Sequence, residues 1–248
     1  MNETVVVVGA TGEMGRLISR DLSKQGYRVV GVARSAEALS ALGQEVPTLV
    51  PCTTDITSDD AIEAIRGCVD GTVRAVVHGP GVPTAGGIAS APTSALLEAT
   101  NIKVGGFVRL VRACDEHFVR GSRLIAIGGH YGFEPTAYAA TAGVGNAALA
   151  NVVRQYSWAM GDRGITAHLV APGPADTPRL RRVAASRAEQ DGVESDVVLD
   201  RMRAESALGE FTEVESVSWA IGVLLDPRAN ALAGSTLFMD AGRRRGLP

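Results

Sequence analysis

The sequence predicts an α/β protein with a three-layer, doubly wound parallel sheet in a single domain over residues 1–248. Strand-like and helix-like patterns alternate from one end of the 248 residues to the other. This alternation is typical of repeated β-α-β units with helices on both faces of the sheet. The first run, Val5–Val8, is apolar and β-branched throughout, as in a strand buried on both faces. No internal repeat and no linker divides the chain.

The predicted elements follow one another in a regular order. The predicted strands are Val5–Val8, Arg28–Val32, Thr48–Val50, Val73–Val77, Leu124–Ile127, Thr166–Val170 and Thr236–Met239. The predicted helices are Glu13–Gln25, Ala36–Leu42, Asp60–Ile65, Thr93–Phe118, Ala137–Met160 and Glu213–Leu225. The first helix is amphipathic, since one face carries Met14, Leu17, Ile18 and Leu22.

One segment interrupts the alternation of strands and helices. From Pro174 to Thr212 the chain is charged, rich in arginine and without a strand pattern. It is either a solvated surface excursion or a lid over a substrate cleft. The lid is favoured, because the segment follows the carboxyl end of a strand, where α/β proteins bind ligands. Loops of this length are, moreover, usually functional or disordered.

The composition excludes several classes of protein. Hydrophobic residues make up 46% and charged residues 21%, which is typical of a globular domain. The net charge of −3 argues against nucleic acid or an anionic membrane surface as the main partner. Without a basic start or an apolar run of about 18 residues, neither a secretory signal nor a transmembrane helix is expected. Cys52, Cys68 and Cys114 have no metal-binding spacing, so we expect reduced packing residues in a cytoplasmic protein and no metal site.

A glycine-rich turn, Gly9-Ala10-Thr11-Gly12-Glu13-Met14-Gly15, stands between the first strand and the first helix. This is the context that a dinucleotide-binding fingerprint of the Rossmann fold requires, although a tight turn without a ligand is the alternative. Glycines let the backbone approach a pyrophosphate, and the helix N-terminus offers free N–H groups with a partial positive charge. The predicted cofactor contacts in this turn are Gly9, Thr11, Gly12, Glu13, Met14 and Gly15.

The end of the second strand indicates which dinucleotide is bound. NAD sites usually have an acid there, which accepts from the ribose hydroxyls and would repel a 2′-phosphate. This chain has Ala33, Arg34 and Ser35 instead. A guanidinium binds a phosphate with two parallel hydrogen bonds, and a serine adds another. Unless Arg34 is only a solvated surface residue, the sequence therefore predicts NADP(H).

Taken together, these features resemble the short-chain dehydrogenase/reductase superfamily over nearly the whole chain. Further segments carry the resemblance: Thr54-Asp55-Ile56, His78-Gly79-Pro80-Gly81, Asn101 on a helix, Pro172-Gly173-Pro174-Ala175-Asp176-Thr177 and the ending Asp240-Ala241-Gly242. The resemblance implies further cofactor contacts from Asp55, Ile56, Gly79, Pro80, Gly81, Pro172, Gly173 and Thr177. It also implies a homodimer or homotetramer.

The catalytic positions depart from the family pattern. The family has a tyrosine and a lysine four residues apart on the helix after the fifth strand. Tyr138 resembles that tyrosine, but Ala142 stands at the lysine position. The chain has two lysines, Lys24 and Lys103, and neither follows a tyrosine by four residues.

The family's serine also has no counterpart, because Gly128 and Gly129 stand at the end of the fifth strand. Only Asn101 and Tyr138 match the family's catalytic set. His130 is a candidate replacement, since imidazole titrates near neutrality, unless it is a loop histidine that faces solvent. A substrate with a phenolic hydroxyl beside its ketone is another source of the proton. Lys103 is set aside, because residues two apart on a helix point in different directions and Asn101 is expected to face the cleft.

In the family, a hydride passes from the nicotinamide to a carbonyl while the tyrosine donates a proton. A phenol of pKa about 10 is protonated at pH 7, so reduction is favoured over alcohol oxidation. The leading hypothesis is a cytoplasmic, NADPH-dependent ketoreductase of a bulky, polyketide-like ketone, as in antibiotic biosynthesis. Two alternatives stay open: a non-redox isomerase, lyase or cyclase on the same scaffold, and a catalytically silent NADP-binding protein.

Overall fold

The computed structural model describes residues 3–84 and 86–246. Seven strands lie in it: β1 Thr4–Val8, β2 Arg28–Ala33, β3 Leu49–Thr53, β4 Val73–His78, β5 Phe118–Ile127, β6 Thr166–Pro172 and β7 Thr236–Met239. They form one parallel sheet in the order β3-β2-β1-β4-β5-β6-β7. The strand order reverses between β1 and β4, which opens a crevice at the carboxyl ends of these strands. The predicted fold class is confirmed.

Helices cover both faces of the sheet. They are α1 Glu13–Lys24, α2 Ala36–Glu45, α3 Asp60–Arg66, α4 Thr93–Thr100, α5 Gly106–Cys114, α6 Ala140–Met160, α7 Pro178–Asp191, α8 Ser195–Ala204 and α9 Val214–Leu225. One core lies between the sheet and α3, α5 and α6, and the other lies between the sheet and α1, α2 and α9. In the described residues, no helix combines the length and the apolar character that a membrane span needs.

The central strand β1 explains why its sequence is an unbroken apolar run. Side chains alternate between the two faces of a strand. Val6 and Val8 accordingly belong to the core beside α3, α5 and α6, while Val5 and Val7 belong to the core beside α1, α2 and α9. All four side chains are buried.

Two predicted helices differ from the structure. The predicted helix Thr93–Phe118 is interrupted, because α4 ends at Thr100 and a π-helical turn spans Asn101–Gly105 before α5 begins. A π turn adds one residue to the helical repeat and so changes which side chains face inward. The predicted start of the next helix at Ala137 is also wrong: α6 begins at Ala140, and Tyr138 lies in the turn before it.

The segment Pro174–Thr212, called the lid segment below, contains α7 and α8. These two helices pack on each other through a small core of their own, formed by Leu180, Ala184, Ala188, Val198, Leu199 and Met202. The ends of the segment meet, since the N–H of Thr212 donates to the carbonyl of Pro174 at 2.9 Å. Ala175 and Thr212 also form an isolated parallel bridge. The lid segment therefore leaves and re-enters the fold at a single point.

Candidate functional site

The turn after β1 has the geometry of a backbone anion site. Gly9 has a φ of +81°, a conformation that side-chain-bearing residues rarely adopt. A Cβ atom on Gly15 would overlap the carbonyl oxygen of Gly9 and lie 2.9 Å from the Cα of Ala10, so only glycine lets α1 pack this closely on the turn. Gly12 is the N-cap of α1 and offers no side chain to cap it. The first N–H groups of α1 are therefore available to a phosphate, which fits a dinucleotide.

The other predicted contacts of this turn lie beside these glycines. Thr11 is half-buried in the turn, and Glu13 and Met14 are the first two residues of α1.

A second anion-binding group lies at the end of β2. Arg34 is exposed there and makes no ion pair within residues 3–84 and 86–246. Ser35 caps α2, since its Oγ accepts from the N–H of Ala38 at 3.1 Å. The hydroxyl hydrogen of Ser35 stays free to donate to a ligand. A guanidinium, a hydroxyl and a helix N-terminus thus converge after β2.

Asp55 lies near Arg34, after β3. Its Oδ1 accepts from the N–H and the hydroxyl of Thr57 at 2.9 and 2.8 Å. These bonds, helped by the positive charge of Arg34, hold the pKa of the Asp55 carboxyl below its usual value. Ile56 follows with a buried side chain. The structure therefore brings the predicted residues Arg34, Ser35, Asp55 and Ile56 to one end of the crevice.

The loops after β1 and β4 contact each other through their backbones. A Cβ atom on Gly9 would lie 3.4 Å from the nitrogen of Pro80, and one on Gly79 would lie 3.2 Å from the carbonyl oxygen of Val8. Gly81 lies directly under the guanidinium of Arg179, which comes from the first turn of α7. The Nη2 of Arg179 donates to the carbonyl of Val82 at 2.5 Å, so the lid segment reaches across the end of β4.

The loop after β6 completes this edge of the sheet. The N–H of Gly173 donates to the carbonyl of Met239 at 3.0 Å, and its Cα packs closely on Asp240. Thr177 caps α7, with its Oγ1 accepting from the N–H of Leu180 at 3.3 Å. Pro172 is the last residue of β6. The predicted residues of this loop therefore lie at the base of the lid segment.

His130 lies in a short 3-10 turn after β5 and is buried, so the prediction that it could face solvent is wrong. Its ring packs against that of Tyr131 with centroids 3.9 Å apart and an angle of 42° between the ring planes. Burial, together with the charge of Arg243, lowers the pKa of His130 to about 4. The imidazole is consequently neutral at pH 7, which argues against its use as the proton donor.

Tyr138 forms a pair with a second tyrosine. The phenol oxygens of Tyr138 and Tyr131 are 3.0 Å apart, and the two rings meet edge to face. The guanidinium carbon of Arg187, on α7, lies 4.0 Å above the centre of the Tyr138 ring. Burial raises the pKa of Tyr131, which keeps that phenol protonated. Nothing in the spacing of the sequence indicates that Tyr131 joins the site.

Asn101 has both ends of its amide occupied by residues outside the cleft. Its Nδ2 donates to the carbonyl of Thr57 at 3.1 Å, and its Oδ1 accepts from Arg109 at 2.8 Å. Arg109 in turn pairs with Asp59, just before α3. The structure therefore ties Asn101 to the loop before α3, and it does not bring this side chain together with Tyr138 and His130.

Lys103 was set aside on the sequence, yet its side chain is buried at the reacting end of the sheet. Its Nζ donates to the carbonyl of Ile127, the last residue of β5, at 2.8 Å. Burial, with the charge of Arg179, lowers the pKa of Lys103 to about 7. The expectation that Lys103 and Asn101 point in different directions is correct, but the assumption about which of them faces inward is wrong.

Asn146 is a further residue that the sequence analysis missed. It lies on α6 with 5% of its surface exposed, and its Oδ1 has no hydrogen-bond partner in the described part of the chain. A Cβ atom on Gly129 would lie 2.8 Å from its Nδ2, so the amide occupies space that a serine at 129 would need. Ala142, one turn earlier on α6, packs against Val82 and Ile102. In the sequence, Asn146 follows Ala142 by four residues, and Ala142 stands at the family's lysine position. This spacing puts both residues on the same face of a helix and could have pointed to Asn146.

Comparisons with known proteins show the family of this chain. The model of the family described as enoyl-(acyl carrier protein) reductase matches residues 9–244. The chain therefore belongs to the short-chain dehydrogenase/reductase superfamily, whose oxidoreductases bind a nicotinamide cofactor.

Two curated relatives are similar over their full lengths. A Streptomyces coelicolor protein named "Putative ketoacyl reductase" is 25% identical over 97% of each chain. The 3-oxoacyl-(acyl-carrier-protein) reductase FabG of Pseudomonas aeruginosa is 25% identical over 97% of this chain and 96% of that one. Relatives named as ketoreductases therefore support the assignment of this chain as an oxidoreductase.

Two solved structures match closely. A variant of the actinorhodin polyketide ketoreductase with NADPH has a TM-score of 0.89 at 25% identity and covers 98% of this chain and 97% of its own. The L-sorbose reductase of Gluconobacter frateurii, complexed with NADPH and L-sorbose, has a TM-score of 0.88 at 21% identity, with 100% and 98% covered. The latter similarity shows the fold alone.

Proposed function

We propose that this protein is an NADPH-dependent ketoreductase of bulky, polyketide-like ketones with a non-standard proton transfer that lacks the family's serine and lysine. The observation that carries the choice of cofactor is the exposed Arg34, which makes no ion pair in the described part of the chain and lies beside Ser35 and the N-terminus of α2. A doubly charged phosphate is the ligand that this arrangement favours, because all three groups stabilise negative charge.

Each part of the crevice has a proposed task in binding the cofactor. The turn Gly9–Gly15 and the N-terminus of α1 bind the pyrophosphate, while Arg34 and Ser35 bind the 2′-phosphate. Asp55 and Ile56 contact the adenine, and Gly79–Gly81 lie against the cofactor beside β4. Pro172, Gly173 and Thr177 hold the nicotinamide end, as the resemblance implies. When bound, NADPH supplies the hydride for the reduction.

Either the protein or the substrate must supply the proton that the carbonyl oxygen takes up. The Tyr138–Tyr131 pair offers a phenol at the cleft, since Tyr131 is held protonated and bonds to Tyr138. The neutral His130 orients this pair by packing against the ring of Tyr131. A phenolic hydroxyl of the substrate is the other source kept in this proposal. In both cases the acid is protonated at pH 7, which favours the reductive direction.

The substrate class is supported by the relatives and by the end of β5. Gly128 and Gly129 leave the strand end without side chains, and the lid segment places Arg187 over Tyr138. Both curated relatives described above have names of ketone-reducing enzymes, and the actinorhodin neighbour is a polyketide ketoreductase. A bulky ketone is therefore the proposed substrate, held under the lid segment in a cytoplasmic enzyme.

We also propose that the enzyme is a homodimer or homotetramer. Trp158 on α6 and Trp219 on α9 expose 84% and 68% of their surface, which supports a contact between copies of the chain. Light scattering at several protein concentrations tests this part of the proposal.

Fluorescence titration with NADPH and NADH, followed by turnover of fused-ring aromatic ketones, tests the proposed function. We expect NADPH to bind at least tenfold more tightly than NADH and to be oxidised as the ketone is reduced. Product formation without net NADPH consumption would instead indicate a non-redox isomerase, lyase or cyclase. NADPH binding without turnover of any ketone would indicate a catalytically silent protein, and no binding of either cofactor would overturn the proposal.

A further inference from the structure

The amine of Lys103 lies beside the carboxyl ends of β4 and β5. Its Nζ is bonded to the end of β5, and the charged or titratable groups coupled to it are His78 at the end of β4 and Arg179 of the lid segment. All of these groups lie at the carboxyl edge of the sheet, under the first turn of α7. The amine therefore lies where the crevice and the lid segment meet.

The hydrogen bonding of this amine is incomplete. Lysine has three N–H donors, and one of them reaches Ile127 in the described part of the chain. Arg123 is a buried cation with a structural role, and its guanidinium bonds to Leu224, Thr166 and Asp226. A buried charge with unused donors is costly unless a ligand completes its bonding. The remaining N–H donors of Lys103 could therefore bind a ligand.

The neighbouring helix α6 packs against Lys103. A Cβ atom on Gly145 would meet the carbonyl oxygen of Ala99 at 3.3 Å and the Cγ of Lys103 at 3.4 Å, so α6 lies in direct contact with the lysine stem. The next residue, Asn146, presents its unpaired Oδ1 on the same helix. Both polar side chains thus lie beside the end of β5, although they come from different helices.

We propose that the Lys103 amine, in place of the Tyr138–Tyr131 phenol or a substrate hydroxyl, is the proton donor in the carbonyl reduction, so that this chain supplies its reactive lysine from the π-helical turn after α4. This inference rests on the proposed function. Bound NADPH would supply the hydride to the carbonyl carbon. The Lys103 ammonium would supply the proton: one of its N–H bonds would break as the O–H bond of the alcohol forms. The neutral amine then regains a proton from water.

A consequence is that reduction requires the protonated amine. The rate of reduction should therefore fall as the pH rises through the pKa of Lys103, which is about 7 in the free protein. A bound cofactor brings negative charge to the cleft and should raise this pKa, which moves the fall to higher pH.

The two lysines of the chain allow a direct test without turnover. Reductive methylation with labelled formaldehyde gives one NMR signal for each dimethylated lysine, and Lys24 is the exposed control on α1. We expect the Lys103 signal to titrate near neutral pH and to shift on addition of NADPH, while the Lys24 signal does not respond to NADPH. A Lys103 signal that does not respond to NADPH would overturn the proposal.

Kinetics of three variants complete the test. Lys103→Met should lower kcat about 100-fold, within the range for loss of a general acid, with NADPH affinity kept within about threefold. Lys103→Arg should remove the fall in rate above neutral pH, and methylammonium should restore part of the activity of Lys103→Ala. Lys24→Met is the matched control and should behave as the parent protein.

The outcomes separate the two proposals. If the parent protein reduces ketones with NADPH and Lys103→Met keeps its kcat and pH profile, the role of Lys103 is overturned and the proposed function stands. If the parent protein neither binds nor oxidises NADPH, the proposed function fails and the role of Lys103 fails with it.

Discussion

The two ends of the crevice are built by different means. The nucleotide end, after β1 and β2, uses backbone N–H groups, glycines and the exposed cation of Arg34. The opposite end, after β4, β5 and β6, uses buried side chains that arrive from separate elements, among them Lys103, His130 and Asn146. A backbone site depends on one short stretch of chain, whereas a side-chain site depends on packing partners far apart in sequence. In a side-chain site, the functional group can consequently come from a different helix while the site keeps its place in the fold.

The largest effect is expected from breaking the backbone site. Gly15→Val forces the turn after β1 to move, because any Cβ there overlaps the carbonyl of Gly9. We expect NADPH binding to be lost in a fluorescence titration and unfolding to be easier by about 3 kcal/mol, at the upper end for overpacking. Gly43→Ala on α2 is the matched control, since its Cβ would meet only Leu49 at 3.9 Å. Normal NADPH binding by Gly15→Val would contradict the backbone site.

A structural cation should matter to stability more than Lys103 does. Arg123 is fully buried and bonds to the carbonyls of Leu224 and Asp226 at the end of α9, at 2.8 and 3.2 Å. Arg123→Met leaves these carbonyls unpaired, so we expect a loss of about 3 kcal/mol in urea unfolding, with cofactor affinity unchanged. Lys103→Met should cost much less. An equal loss from both variants would mean that Lys103 is structural too.

The nucleotide end can be tested separately at its phosphate site. Arg34→Ala should weaken NADPH binding about 10- to 100-fold, because the charge-assisted hydrogen bonds between Arg34 and the 2′-phosphate are lost. NADH binding should be unchanged, since NADH has no 2′-phosphate. Arg16→Ala, on the exposed side of α1 and paired with Glu45, is a control for the general loss of a positive charge. The same loss for NADPH and NADH would remove Arg34 from phosphate recognition.

The buried amine also predicts a pH dependence of stability. The pKa of Lys103 is lowered to about 7 in the folded chain from an ordinary value of 10.5, so the unfolded chain binds the extra proton between these values. Stability from this group therefore rises with pH across that window, by up to about 1.4 kcal/mol per pH unit. From pH 7 to pH 9, the parent should therefore gain stability relative to Lys103→Met in urea unfolding. A constant difference would show that Lys103 has an ordinary pKa.

The smallest effect is expected at the tyrosine pair. If Lys103 donates the proton, Tyr138→Phe should lower kcat less than about tenfold, since it removes one neutral hydrogen bond worth about 1 kcal/mol. Tyr131→Phe removes the same bond from the other side and should match it. A loss of about 100-fold or more for Tyr138→Phe alone would assign the proton to Tyr138 instead.

The nucleotide end could be predicted from the sequence because its geometry is local. The strand β1, the glycine turn and the N-terminus of α1 follow one another directly in the sequence. The residues after β2 likewise lie between a strand and the helix that follows it. The reacting end could not be predicted in the same way. The direction of Lys103 depends on a π turn that the apolar pattern does not reveal, and the site of Asn146 depends on the missing side chain of Gly129. The partners of Tyr138 are fixed by where α6 begins, two residues later than the tyrosine.

The hydrogen bond between Thr212 and Pro174 at the base of the lid segment has a consequence for how such proteins diversify. Because both ends of the segment meet at one point and its helices share a core of their own, it behaves as a cassette. We expect that a segment of another length or sequence could replace it without a change in strand register or in the turn after β1.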